Sequence, residues 1–201
     1  YNLANQGARN VVVLEKGELC SGGTSKSCAI SRSHYSIEAN VHHAVESLKI
    51  FENFDEIIGG DPRFTRTGQI VLGPEIYRPL MESVFSTQNK YGSETQTLTP
   101  AEASDLHPLL QFEDVDVIGF ESRSGYCDPY LATAAYGRRA RDFGVKFFTG
   151  TPVNGIQING TNKIIETPQY DFETPVIILA AGPWTHALGK MIEVKFPYEI
   201  S

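Results

Sequence analysis

Three cysteines, Cys20, Cys28 and Cys127, are an odd number with no CxxC spacing, so neither a disulfide framework nor a thiolate zinc site is expected. Reduced thiols are the expectation. Long runs of lysine or arginine are also missing, and the net charge is -7. A nucleic-acid surface needs clustered positive charge to displace phosphate counterions, so nucleic acid is excluded as a partner class. The longest apolar runs, such as VIILAA at 176–181, fall far short of the roughly twenty residues that cross a bilayer. No basic-then-apolar signal pattern opens the sequence. These absences together read as a cytoplasmic chain without a membrane span. The histidines lack metal-ligand spacing, which favours ordinary packing or surface roles for them and leaves no metal site expected. No Ser-His-Asp or Cys-His arrangement is visible either. What remains is 201 residues with 41% hydrophobic content, enough for a sizeable core in one or two globular domains.

The opening YNLANQGARNVVVLEK reads as the last turns of a helix, a stop at Gly7, and a strand at Val11–Leu14 that is apolar on both faces. Burial on both faces implies a parallel sheet covered by helices. From Ile37 to about Ile58, Val41, Val45, Leu48, Phe51 or Phe54 and Ile58 recur at helical spacing before Gly59 and Gly60. RFTRTGQIVLG reads as a strand, followed by a helix from Pro74 to about Gly92. Thr99, Pro100 and Glu102 form a capping box for a short helix, and VDVIGFES at 115–122 reads as a strand. Asp128-Pro129 starts a helix that stops at Gly144. Strands follow, with a hairpin signal at Asn159-Gly160, and PVIILAAGPWTHAL reads as a second buried strand running into a helix. The order predicts an α/β fold, a doubly wound sheet interrupted by an insertion at about 61–125.

Glu15 ends the first strand. In dinucleotide-binding sheets an acid at that place accepts hydrogen bonds from ribose hydroxyls; the alternative is a carboxylate in water. The glycine fingerprint that accompanies such an acid lies about twenty residues before it, which here falls ahead of Tyr1. The expectation is that a strand and GxGxxG turn precede these residues. The loop CSGGTSKSCAISRSHYS, residues 20–36, is small and polar. Gly22 and Gly23 allow close backbone approach, Thr24, Ser25 and Ser27 offer hydroxyls, and Lys26 and Arg32 add positive charge. That combination suits a pyrophosphate, the alternative being a flexible linker.

Taken in order, LEKGELCSGGTSKSCAISRSHYS, GYCDPYLATAAYGRRARDFGVKFFTGTPVNGI and VIILAAGPWT resemble the FAD-dependent amino-acid oxidoreductases, the family of D-amino-acid oxidase, glycine oxidase, sarcosine oxidase β-subunit and dimethylglycine dehydrogenase. The resemblance implies a Rossmann-like FAD-binding sheet of the glutathione-reductase type with an inserted α+β substrate-domain segment. Residues 1–60 and 126–201 would be the two FAD-binding segments, and 61–125 part of the substrate domain. It implies FAD as cofactor, with Glu15 on the ribose and Lys16 at the adenosine edge. Thr24, Ser25, Lys26, Ser27, Cys28 and Ala29 would line pyrophosphate and isoalloxazine, and Val153 would meet adenine through its backbone. Ala180, Ala181, Gly182 and Trp184 match the AAGxW turn, where small residues let the backbone approach a ligand.

Arg32, followed three residues later by Tyr35, resembles the arginine that pairs with the substrate carboxylate; a guanidinium suits a planar carboxylate through two parallel hydrogen bonds. The sarcosine oxidases carry a further arginine where this chain has Ala29, a departure that counts against sarcosine itself. Ser27 stands where dimethylglycine dehydrogenases attach their flavin through histidine, so FAD at the 20–36 loop is expected to be non-covalent. The activity implied is oxidation of a carbon–nitrogen bond of a small or N-methylated amino acid by hydride transfer to flavin. A flavin-dependent glycerol-3-phosphate or hydroxyacid dehydrogenase, and a non-catalytic FAD- or ADP-binding subunit, are the competing readings. An oligomer or partner subunits stay open. These 201 residues alone are expected to purify without flavin and to show no turnover; a yellow preparation of this stretch overturns that expectation.

Overall fold

The structure, a computed structural model, describes residues 1–196. The chain starts with helix α1, Asn2–Asn5, and strand β1, Val12–Leu14. Strand β2, Ile30–Ser31, leads to helices α2, Glu38–Glu52, and α3, Phe54–Ile57. Strands β3, Thr65–Arg66, and β4, Gln69–Gly73, precede helix α4, Arg78–Lys90. Next come β5, Thr95–Leu98, α5, Pro100–Leu106, β6, Val117–Glu121, and β7, Gly125–Tyr126. Helix α6, Pro129–Asp142, is followed by β8, Lys146–Phe148, β9, Gly155–Asn159, β10, Asn162–Glu166, β11, Asp171–Thr174, and α7, Thr185–Met191. No helix among the described residues is long and apolar enough to cross a membrane. The chain divides into two compact units, Tyr1–Lys26 with the chain from Tyr136 onward, and Ser27–Ala135; the second boundary falls within α6.

In the first unit β1 and β8 pair in parallel, Val12 opposite Lys146, Val13 opposite Phe147 and Leu14 opposite Phe148. Ala4, Ala140 and Val145 form a small core packed by Tyr1, Val11, Val13, Phe143 and Phe147. Local signals drive the boundaries: Gly7 and Gly144 sit at φ +96 and +85, the left-handed region that ends a helix with little cost only for glycine. β9, β10 and β11 form an antiparallel meander. Asn159 pairs with Asn162, so the turn of the first hairpin is Gly160-Thr161, with Gly160 at φ +60.

Two expectations are corrected here. Residues 175–181 form no strand, and Val176 and Ile178 are 67% and 62% exposed. An apolar β-prone run becomes a strand only against a ladder partner, and among the described residues none pairs with it. Likewise β1 is not buried on both faces, since Val12 is exposed.

The second unit has β6 at the centre of an antiparallel sheet, β4-β6-β5. Alternation along β6 sorts its side chains between two helices. Val117 joins Met81 and Phe85 of α4, while Ile118 joins Ala103 of α5 and Phe112. A Cβ at Gly119 would stand 2.3 Å from Phe85 Cζ, so the glycine lets that ring lie on the strand. Helix α2 buries Val41, Val45 and Leu48. His42 of α2 stacks on Tyr91 with ring centroids 4.8 Å apart, and Lys90 Nζ reaches Glu38 Oε1 at 2.5 Å. Through these contacts residues 27–60 fold with the stretch that the sequence marked as an insertion.

A second sheet, β2-β7-β3, is antiparallel, with Gly125 opposite both Ser31 and Arg66. A Cβ at Gly125 would lie 2.1 Å from the Thr65 carbonyl oxygen, and backbone cannot yield there as a flexible side chain would. Gly125→Ala is therefore expected to destabilise the protein by about 1–3 kcal/mol, read as a lower denaturant midpoint at unchanged slope.

Candidate cofactor site

The carboxyl ends of β1 and β8 bring together Glu15, Lys16, Gly22 and Trp184. The ladder runs on past β1: the Glu15 N–H donates to Phe148 O at 2.9 Å, and Thr151 N–H donates to Glu15 O at 2.9 Å. Glu15 Oε1 accepts from Gly17 N–H at 2.8 Å, which orients the carboxylate at the strand end. Lys16 Nζ stands 4.6 Å from the centroid of the Trp184 ring, a cation–π contact that holds the two segments together. A Cβ at Gly22 would be 3.7 Å from Trp184, so the start of the glycine bend lies against the same ring.

Thr24–Lys26 form one 3-10 turn, in which Ser25 Oγ donates to Gly22 O at 3.1 Å. Gly182–Trp184 form another, with Gly182 at φ +53. Glu15, Lys16, Gly22 and Trp184 are thus brought into one neighbourhood, with Ala180 and Ala181 leading into it along the chain. Val153 lies in the extended link before β9 rather than within a strand; the Thr151 contact ties that link to Glu15. The residues fit an adenine-flavin cofactor: an acid on a strand end, small residues in the bend, and an exposed lysine and indole.

Ser27, Cys28, Ala29, Arg32 and Tyr35 belong to the second unit. Ser27 Oγ accepts from Ala29 N–H at 2.9 Å, and Ala29 sits at φ 51. Ala29 O accepts from Cys127 N–H at 3.2 Å, and burial pushes the Cys127 thiol up. Arg32 is exposed, with its guanidinium 5.8 Å from the Tyr35 ring centroid.

Beneath Arg32 lies a group that sequence reasoning missed. Glu121, the last residue of β6, is 0% exposed. Its Oε2 accepts from Ser33 N–H at 2.9 Å, Ser33 Oγ at 3.0 Å and Ser124 Oγ at 2.8 Å. Ser33 Oγ lies 2.6 Å from Ser93 Oγ and accepts from Gln88 Nε2 at 2.9 Å, and Ser93 Oγ lies 2.9 Å from Thr95 Oγ1. The Ser33 hydroxyl gives its one proton to Glu121 Oε2, so it accepts from Ser93 Oγ, which in turn accepts from Thr95 Oγ1. The available signal was an acid closing the apolar run VIGF, which a strand-only reading passes over.

His34 Nδ1 stands 3.5 Å from Glu121 Oε1. Burial pushes the His34 pKa below its ordinary 6.5, with the Glu121 charge opposing and Arg32 adding to the effect. Elsewhere in this unit Arg123 Nε and Nη2 grip Glu52 Oε1 and Oε2 at 3.0 and 2.5 Å beside a shallow depression of about 570 Å³. Its lining, which includes Phe64, Arg66 and Glu94, contains none of the anticipated site residues.

The sequence matches the family described as FAD dependent oxidoreductase, DAO, over residues 1–200. The chain belongs to this family. Dimethylglycine dehydrogenase, mitochondrial, of Rattus norvegicus is 32% identical over 202 residues, 98% of this chain and 23% of the rat protein. Sarcosine oxidase subunit beta of Arthrobacter is 25% identical over 207 residues, 99% of this chain and 51% of that subunit. Among solved structures, L-proline dehydrogenase from P. horikoshii superposes with a TM-score of 0.87 at 28% identity, covering 96% of this chain and 52% of that one. The chain therefore spans about a quarter to a half of these DAO-family relatives, and FAD is the cofactor of the family.

The His34 shift has a definite sign. Its folded pKa is depressed below the unfolded value, so the folded state binds fewer protons; stability is complete above 6.5 and declines as pH falls from there through the folded pKa. His34→Gln is expected to flatten the dependence of the denaturant midpoint on pH in that window, and an unchanged profile contradicts the assignment.

Proposed function

We propose that this chain carries the ADP side of FAD and the substrate-carboxylate arginine of an enzyme that oxidises the carbon–nitrogen bond of a small or N-methylated amino acid. The observation that carries the reading is the convergence of Glu15, Lys16, Gly22 and Trp184 at the ends of β1 and β8, where a doubly wound sheet binds its nucleotide. Likeness to a dimethylglycine dehydrogenase, a sarcosine oxidase subunit and an L-proline dehydrogenase supports the choice of substrate class.

In this reading Glu15 takes the ribose hydroxyls, while the 22–29 bend offers small residues and hydroxyls to the pyrophosphate. Lys16 and Trp184 close the adenosine edge, with Val153 at the adenine. Ala180, Ala181 and Gly182 let backbone approach the cofactor, and no covalent bond to it forms at the 20–36 loop, where Ser27 carries no ring nitrogen. Arg32 binds the substrate carboxylate and Tyr35 flanks it. Bound FAD supplies the hydride acceptor. The protein's part would be to hold the amino acid by its carboxylate and so place the carbon beside its nitrogen for hydride loss; water then hydrolyses the resulting imine or iminium.

Anaerobic mixing of the complete protein with glycine, N,N-dimethylglycine, L-proline or sarcosine tests the reading. Bleaching of the flavin by at least one of them is expected, and bleaching by glycerol 3-phosphate alone overturns it. Arg32→Ala is expected to raise KM for the amino acid about tenfold or more, the loss of a charge-assisted pair.

A further inference from the structure

We propose that Glu121 is a positioning residue that sets Arg32 from beneath by clamping the backbone of Ser33. The inference rests on the reading of Arg32 as the carboxylate partner. Ser33 is 0% exposed while its chain neighbour Arg32 is exposed, so the two side chains face different surroundings from adjacent backbone positions. What fixes Ser33 therefore fixes the base from which Arg32 projects.

Three donors converge on Glu121 Oε2, and one of them is the Ser33 N–H itself. A short strand, β2, otherwise enters this stretch with only two paired residues, too few to hold the residues after it by ladder bonds alone. A fully buried carboxylate is costly unless its partners are in place, and losing the Ser33 contacts would leave Oε2 with the Ser124 hydroxyl alone. Ser33 Oγ, which accepts from Gln88 and touches Ser93, adds two side chains that resist its rotation. The alternative for such a cluster is core stability with no bearing on Arg32, and the two roles separate experimentally.

The test uses the complete flavin-loaded enzyme, the amino acid of the four named above that it oxidises fastest, and the amine left when that amino acid loses its carboxylate. Glu121→Leu is expected to raise KM for the amino acid about tenfold or more, with kcat at saturation changed little and turnover of the amine unaffected. Glu121→Gln, which keeps an acceptor and folds more readily, is expected to lie between. Added to Arg32→Ala, neither variant should cost anything further, since both act through one contact. Equal losses for amino acid and amine overturn the inference in favour of a stability role. An unchanged KM in Arg32→Ala defeats the carboxylate reading instead. Hydrogen exchange supplies a readout independent of any substrate: residues 32–35 should lose protection in Glu121→Leu or Glu121→Gln, and retained protection in both overturns the clamp.

Discussion

The parallel register between β1 and β8 is the constraint from which the candidate site follows. It joins residues 12–14 to 146–148 and extends through Glu15 and Thr151, so two segments separated by more than a hundred residues end at the same level. Parallel pairing cannot be closed by a tight turn; the intervening chain folds as a unit of its own. With the two strand ends fixed, a carboxylate, a glycine bend and an indole come together at the edge where such sheets place their ligands. Nothing in that arrangement performs chemistry by itself. It places an acid, small residues, a lysine and an indole side by side, the groups that the proposed reading assigns to a nucleotide.

The second unit answers a different problem. Its sheet is packed on both sides, by α4 and by α5, and the alternation along β6 leaves little room for polar atoms. Yet Glu121 is placed on the α4 side with Ser33, Gln88, Ser93, Thr95 and Ser124 around it. A hydrocarbon in that place would avoid the desolvation of a carboxylate but leave the Ser33 N–H and the Ser33 and Ser124 hydroxyls without their acceptor. A buried, multiply bonded carboxylate instead specifies one position for the strand end and the turn that touches it. The stretch that Glu121 holds also carries the exposed Arg32 and Tyr35.

Much of the fold was legible because its signals are local. Asp128 caps α6 through Tyr130 and Leu131 N–H groups at 2.9 and 3.0 Å, and Thr99 with Glu102 forms the expected capping box on α5. Glycines at positive φ ended helices where the sequence placed the stops. Strand β5, TQTL, escaped notice because its threonines and glutamine carry no apolar alternation; it is defined by pairing with β6. The run at 176–181 failed in the opposite way, with a strong apolar pattern and no ladder. In the site, Glu15 could be read from its place after VVVL and the loop from its composition, whereas Trp184 entered through family resemblance. Glu121 escaped because its partners lie up to 88 residues away, and a constellation assembled by tertiary packing leaves no spacing to read.

The central claim is that the acid-ended strand, the glycine bend and the AAG turn form one nucleotide-binding face. Hydrogen exchange on the complete protein, with FAD stripped and then restored, addresses it directly. The account predicts that residues 15–26 and 180–184 gain protection together on restoring FAD. Protection confined to other parts of the protein, with both segments unchanged, contradicts it.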